Sequence, residues 1–217
     1  PAGDQCPVDL VRWVEPESDV HDPNLKRTNP HKRKADPSMF DLSGMRKAGK
    51  RIANEIIEVY NEGLDAPQTD PEFVHEVHMM QLPLRRTTFA EVAAARRRIH
   101  DYLAEKPGDV DFNDAAALQV DLGILRREEL QEKMDILDTE SHILRLGTVA
   151  FATNPFELFL DYGNQIKARS YAEQTFLIQL ANGTEGYLPT EKAEKGGHYS
   201  AFLASGLVGH AGGEQLV

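Results

Sequence analysis

The chain has 217 residues, 41% of them hydrophobic, and a formal net charge of −11 at neutral pH. That length is enough for one sizeable core, or for part of a larger one. The negative balance argues against a general nucleic-acid binder, and no apolar run reaches the roughly 20 residues that a membrane span needs.

Pro1, Pro7, Pro16, Pro23, Pro30 and Pro37 recur through the first forty residues with little hydrophobic periodicity, so this stretch reads as loop. Within it, Gly3-Asp4-Gln5-Cys6-Pro7 sets the only cysteine in a tight, polar, proline-bounded turn. One cysteine forms no internal disulfide and leaves the redox compartment open. Cys6 reads either as a nucleophile, once a base, metal or positive field lowers its pKa, or as a small buried hydrophobe. The basic cluster Lys26-Arg27 with His31-Lys32-Arg33-Lys34 is local, is broken by Pro30, and reads as a solvated loop.

Helix signals follow. Ser43 can cap a segment carrying Met45, Ala48, Ile52, Ile56, Val59 and Tyr60 at three- and four-residue spacing, ended by Gly63. The run from Phe73 to Leu84 alternates as a strand, with Pro83 implying an edge or a bulge. Thr88 and Glu91 form a capping box that opens a helix through about Glu105. Two further helices are expected, Asn113 to Leu122 and Arg127 to Leu137. A hydrophobic strand, Leu146 to Ala152, then runs into Asn154-Pro155-Phe156-Glu157. A second strand, Thr175 to Ala181, leads into Asn182-Gly183-Thr184-Glu185-Gly186-Tyr187-Leu188-Pro189-Thr190. Strands and helices mix without strict alternation, which gives an α+β (mixed α/β) class: mixed sheets flanked by helices. The chain opens without Met and closes on Ala211-Gly212-Gly213-Glu214-Gln215-Leu216-Val217, a helix begun and then lost. The expectation is a single-domain fragment spanning 1–217 of a larger catalytic domain, or one chain of a nicked protein.

The two strand ends can deliver a carboxylate, Glu157, and a phenol, Tyr187, to one place. Both are oxygen ligands for a hard or borderline cation. Glu157 also has a purely local reading. Asn154 suits an N-cap, Pro155 suits N1, and Glu157 at N3 can reach back to the cap. Tyr187 and Tyr199 also read as amphipathic aromatics at a core edge. His75 and His78 fall on opposite faces of a strand, so they do not share a metal. His198, after Gly196-Gly197, lies on a loop near the proposed site and reads as a substrate contact or a surface histidine.

At these residues the sequence resembles the neutral/alkaline (non-lysosomal) ceramidase family. Gly3-Asp4-Gln5-Cys6-Pro7 is similar to the family's Gly-Asp-x-Ser-Pro nucleophile loop. The stretch from Gly147 to Glu157 resembles the one whose glutamate binds zinc. Asn182 to Thr190 resembles the segment whose tyrosine is a further zinc ligand. Gly197-His198-Tyr199-Ser200-Ala201 and Gly212-Gly213-Glu214 are similar to the tyrosine-bearing loop and the last helix start. The resemblance runs in order along the chain and is close only in those blocks. It departs from the family in one respect that touches the chemistry, because cysteine stands where the family has serine.

The resemblance implies the C-terminal half of a ceramidase-like catalytic domain that hydrolyses an amide at one zinc ion. Glu157 and Tyr187 would be metal ligands, and histidines outside this chain, from an upstream segment or a partner chain, would complete the set. Cys6, or a zinc-activated water beside it, would attack the amide. Tyr199 would donate a hydrogen bond to the developing oxyanion, and Asp4 would orient the nucleophile loop. The substrate would be a small-molecule or lipid amide, such as a sphingolipid, with no nucleic acid involved. The resemblance also leaves room for contact with a membrane surface and implies a secreted or periplasmic protein. No acyl-chain pocket can be read from the sequence. Two other readings stand beside this one: a metal-independent cysteine hydrolase pairing Cys6 with a histidine such as His198, and a non-catalytic relative that keeps the fold as a binding or structural module.

Overall fold

The structure, a computed structural model, describes residues 2–5, 13–14, 34–35, 41–63, 68–106, 108–197 and 199–217. Cys6, His198 and the basic residues 26–33 lie outside the described residues. The fold divides into two compact units, residues 6–70 and residues 1–5 with 71–217. In the smaller unit β1 (Trp13–Val14) pairs antiparallel with β2 (Lys34–Ala35), and α1 (Asp41–Glu62) follows. The helix begins two residues before the expected cap, Ser43. Gly63 ends it by donating its N–H to the Val59 carbonyl.

The larger unit is built on a four-stranded sheet of order β3-β4-β5-β7. β3 (Phe73–Pro83) and β4 (Ile136–Leu146) pair antiparallel along all of their length, from Phe73 opposite Leu146 to Pro83 opposite Ile136. β3 is an edge strand, which is where a proline lacking its N–H can be tolerated. Between these strands come α2 (Phe89–Ala104), α3 (Phe112–Ala117) and α4 (Gln119–Gln131). The Thr88 and Glu91 capping box forms as expected. Thr88 Oγ1 accepts the Glu91 N–H at 3.2 Å, and Glu91 Oε2 accepts the Thr88 N–H at 2.7 Å.

Three boundaries differ from the sequence reading. The helices expected at Asn113–Leu122 and Arg127–Leu137 are instead divided at Leu118, and the second stops at Gln131. Ile136 and Leu137 belong to β4, because an eleven-residue partner strand supplies a ladder that outweighs local helix preference. The strand expected over Leu146–Ala152 is interrupted by Gly147-Thr148. Gly147 at φ 59° makes a two-residue turn that brings Leu146 opposite Val149, as glycine at the first turn position permits. Third, β7 (Gln174–Ile178) ends three residues early, as Leu180 and Asn182 adopt positive φ and turn the chain.

β5 (Val149–Thr153) and β7 run parallel, joined through α5 (Leu160–Arg169). The same two chain segments pair again farther along. β6 (Glu157–Leu158) lies parallel to β8 (Tyr187–Leu188), with Glu157 opposite Tyr187 and Leu158 opposite Leu188. α6 (Glu191–Gly196), two short 3-10 turns and α7 (His210–Leu216) complete the chain. The main core gathers Leu82, Phe156, Leu158, Phe159, Tyr162, Leu188 and Val208, with a second cluster of Val92, Ala95, Ile124 and Leu203. The molecule is an α+β protein. Among the described residues no helix is long and apolar enough to cross a membrane.

Candidate functional site

Asn154 and Pro155 decide where Glu157 goes. The Asn154 side chain accepts the Phe156 N–H at 3.1 Å, making a local turn, and Pro155 has no N–H to extend the ladder. The chain then resumes pairing, with the Glu157 N–H donating to the Gly186 carbonyl at 2.9 Å. Glu157 is therefore a strand residue. The helix starts only at Leu160, so the capping role available to Glu157 in the sequence does not form.

Side chains alternate across a strand, so the burial of Leu158 and Leu188, each 0% exposed, fixes the direction of their neighbours. Leu158 and Leu188 enter the core side by side. Glu157 and Tyr187 leave on the other face, also side by side. Burying two leucines contributes about 2 kcal/mol each, so core packing is what aims the carboxylate and the phenol together.

The Tyr187 phenol titrates above tyrosine's usual range, first because it is buried and then because it hydrogen-bonds with the Glu157 carboxylate and with Tyr199. Tyr199 meets Tyr187 edge-on, with ring centroids 5.6 Å apart and planes at 72°, a favoured aromatic geometry. Tyr199 itself is largely open to solvent. Beside the two rings lies a cleft of about 270 Å³ walled by Val120, Phe202 and Ala204. A larger groove that shares Gln119, Ala204 and Ser205 continues past Leu122 and Leu125.

The N-terminal arm closes on the same strand. The Gly3 N–H donates to the Leu158 carbonyl at 2.9 Å, and the Ala2 N–H donates to Gln179 Oε1 at 3.0 Å. Asp4 Oδ1 accepts the Leu160 N–H at 2.8 Å and so supplies the first turn of α5 with the acceptor its own N-cap, Phe159, lacks. The structure thus brings Glu157, Tyr187 and Tyr199 together around β6 and β8 and places Asp4 at the first turn of α5. Cys6 follows Gln5 in the chain, one residue beyond the docked arm.

Zinc takes four ligands in structural sites, and three with an open position in catalytic ones. The donor set here fits part of that sphere. Glu157 and Tyr187 offer two adjacent oxygens, and among the described residues no group of three His, Cys, Asp or Glu side chains forms. Further ligands would have to come from elsewhere. His75 is not among them, since its Nε2 lies 2.9 Å from His142 Nδ1 in a stacked pair on the sheet. His78 turns to Glu76 on the opposite face.

Two arginines that the sequence did not single out hold the ground behind the tyrosines. Arg127 is 5% exposed and donates to the carbonyls of Arg85, Leu207 and Gly206 at 2.7, 3.0 and 2.7 Å, and to that of Leu203 at 3.3 Å. Arg85 Nη1 donates to the Ala201 carbonyl at 2.7 Å. No local pattern marks Arg127, which sits mid-helix beside Arg126. Its burial depends on residues some 80 positions away. No protein-family model, no curated protein and no solved structure matches this chain.

Proposed function

We propose that this chain supplies part of the active site of a zinc-dependent amide hydrolase resembling the neutral ceramidases. The observation that supports it is the pairing of Glu157 with Tyr187 across β6 and β8, their side chains leaving on the same face, with Tyr199 edge-on to the phenol. Glu157 and Tyr187 would hold the metal together with histidines from outside this chain. Bound there, zinc supplies a Lewis acid for the amide carbonyl and lowers the pKa of the attacking group.

The chain's own residues do the rest. As a metal ligand Tyr187 would give its proton to solvent while Glu157 stays ionised, and a divalent charge would oppose the upward push that burial and the carboxylate exert on the phenol. Tyr199 lines the same cleft, and its hydroxyl would donate a hydrogen bond to the oxygen on which charge develops during attack on a carbonyl. One such donor contributes roughly 3 kcal/mol in characterised hydrolases. Asp4 anchors the Gly3–Gln5 arm to α5, and Cys6, the next residue in the chain after Gln5, would be the attacking group in this scheme. The cleft walled by Val120, Phe202 and Ala204 suits an apolar part of an N-acyl amide, a small molecule or a lipid.

Metal analysis of the full-length protein tests the proposal. The wild type is expected to hold about one zinc per chain, and Glu157→Gln to lose it while far-UV circular dichroism stays unchanged. A Glu157→Gln protein that retains stoichiometric zinc removes Glu157 from the ligand set and the proposal with it.

A further inference from the structure

We infer that Arg127 and Arg85 are positioning residues, whose guanidinium groups hold the segment from Tyr199 to Leu207 so that the Tyr199 ring stays against Tyr187. The inference rests on the reading of those two tyrosines as the site.

The segment has little regular structure of its own. It makes two three-residue 3-10 turns, one internal backbone bond from the Ser205 N–H to the Phe202 carbonyl, and an isolated bridge between Gly206 and Gly186. Its carbonyls instead turn inward. Ala201 is taken by Arg85, and Leu203, Gly206 and Leu207 by Arg127. The Arg127 fork also takes the Arg85 carbonyl, which ties the two arginine positions to each other. Ser205 then carries the constraint to the tyrosine, its hydroxyl donating to the Tyr199 carbonyl. Gly206 carries it to the other tyrosine. A Cβ built on Gly206 would lie 2.0 Å from the Tyr187 carbonyl oxygen, so the two backbones are as close as glycine allows.

Burying a guanidinium is costly unless every donor is met. Burial pushes the Arg127 guanidinium down from its ordinary range, and Arg85 adds to that push. A packed core gains nothing from such a cation. What a guanidinium offers, and an apolar side chain or a lysine does not, is a planar fork able to bind several carbonyls at fixed angles. That geometry is suited to shaping a loop with no ladder of its own.

The test uses the full chain with isotope-labelled tyrosine, comparing wild type, Arg127→Lys and Arg85→Lys by NMR. Signals are assigned through Tyr187→Phe and Tyr199→Phe. In the wild type a nuclear Overhauser contact joins the rings of Tyr187 and Tyr199. Arg127→Lys keeps the charge and loses the fork, so a protein that still melts cooperatively should lose that contact, or weaken it several-fold. Where Arg127→Lys does not fold, Arg85→Lys is read in its place, with the same loss expected. An undiminished contact in a folded variant, or no contact in the wild type, overturns the inference, since a merely structural arginine would change the melting temperature and leave the rings in place. Amide turnover is measured in parallel on the full-length, zinc-loaded protein, with kcat expected to fall about tenfold or more at little change in KM. A wild type without turnover, whose ring contact is nonetheless lost on Arg127→Lys, sinks the hydrolase reading and leaves the positioning role standing.

Discussion

Gly3 shows how a single missing carbon can decide whether a site assembles. A Cβ built there would sit 2.2 Å from the Glu157 carbonyl oxygen and 3.0 Å from that of Leu158. Those atoms are strand backbone and cannot swing aside. The Gly3 N–H bond to Leu158 and the Asp4 bond to Leu160 both depend on this approach. Gly3→Ala should therefore cost about 1–3 kcal/mol, as overpacking does, and release the arm from β6. Denaturant titration of Gly3→Ala against Asp4→Ala separates the two effects. If Gly3→Ala is as stable as the wild type, the arm is not docked where the structure has it. The sequence marked Gly3 and Asp4 as parts of a tight turn before Cys6. It did not say what they press against, because β6 is a two-residue strand whose partner is thirty residues farther along.

At the scale of elements, legibility follows the range of the cause. The α2 start was readable because a capping box is made by residues three apart. Asn154-Pro155 suits a helix start and equally a local turn before a strand, and the choice between them is made by Gly186, to whose carbonyl the Glu157 N–H donates. A second capping box, Asp111 with Asp114, opens α3 and went unmarked in the sequence. Asp114 is 1% exposed and takes hydrogen bonds from the Asp111 N–H at 2.8 Å, the Tyr102 hydroxyl at 2.9 Å and the Lys106 ammonium. The Asp111 bond leads, and with Lys106 and Tyr102 it holds the Asp114 carboxyl well below the usual aspartate range. A depressed folded pKa means the unfolded chain takes up the proton first. The contribution is thus fully present above the ordinary aspartate pKa of about 3.9 and is lost as pH falls through the folded value. Asp114→Asn should be less stable than wild type at neutral pH, and the gap should close as the solution is acidified. A gap that stays constant from neutral to acid pH contradicts the assignment.

At the scale of the molecule, the four-stranded sheet has two unlike faces. Cross-strand partners share a face, so the register sorts every residue. Met80, Leu82 and Leu137 point to the side that meets the main core. The opposite face carries Phe73, Val77, Met79, Ile136, Leu146, Phe176 and Ile178, all between 43% and 70% exposed. Phe151 stacks on Phe176 there, with ring centroids 5.3 Å apart. Alternation in Phe73–Leu84 shows the strand, and it does not show which apolar side chains gather on the other side, since that needs four strands in register. Polar His75, Gln81, Asp138, Glu140 and His142 stand between them, so the face is a mosaic with its apolar residues grouped around Phe73, Leu146, Phe151 and Phe176, and exposed apolar groups of this size are unusual on a monomer. The native chain should therefore bind the dye ANS while still unfolding in one cooperative transition. Phe73→Lys with Met79→Lys, at the two most exposed of these positions, should reduce that fluorescence several-fold. Because the replaced side chains already face water, stability should change by only about 0.5 kcal/mol per substitution. A loss of several kcal/mol in the urea-unfolding free energy of the double variant would mean instead that these side chains are packed in solution, and that the face is covered.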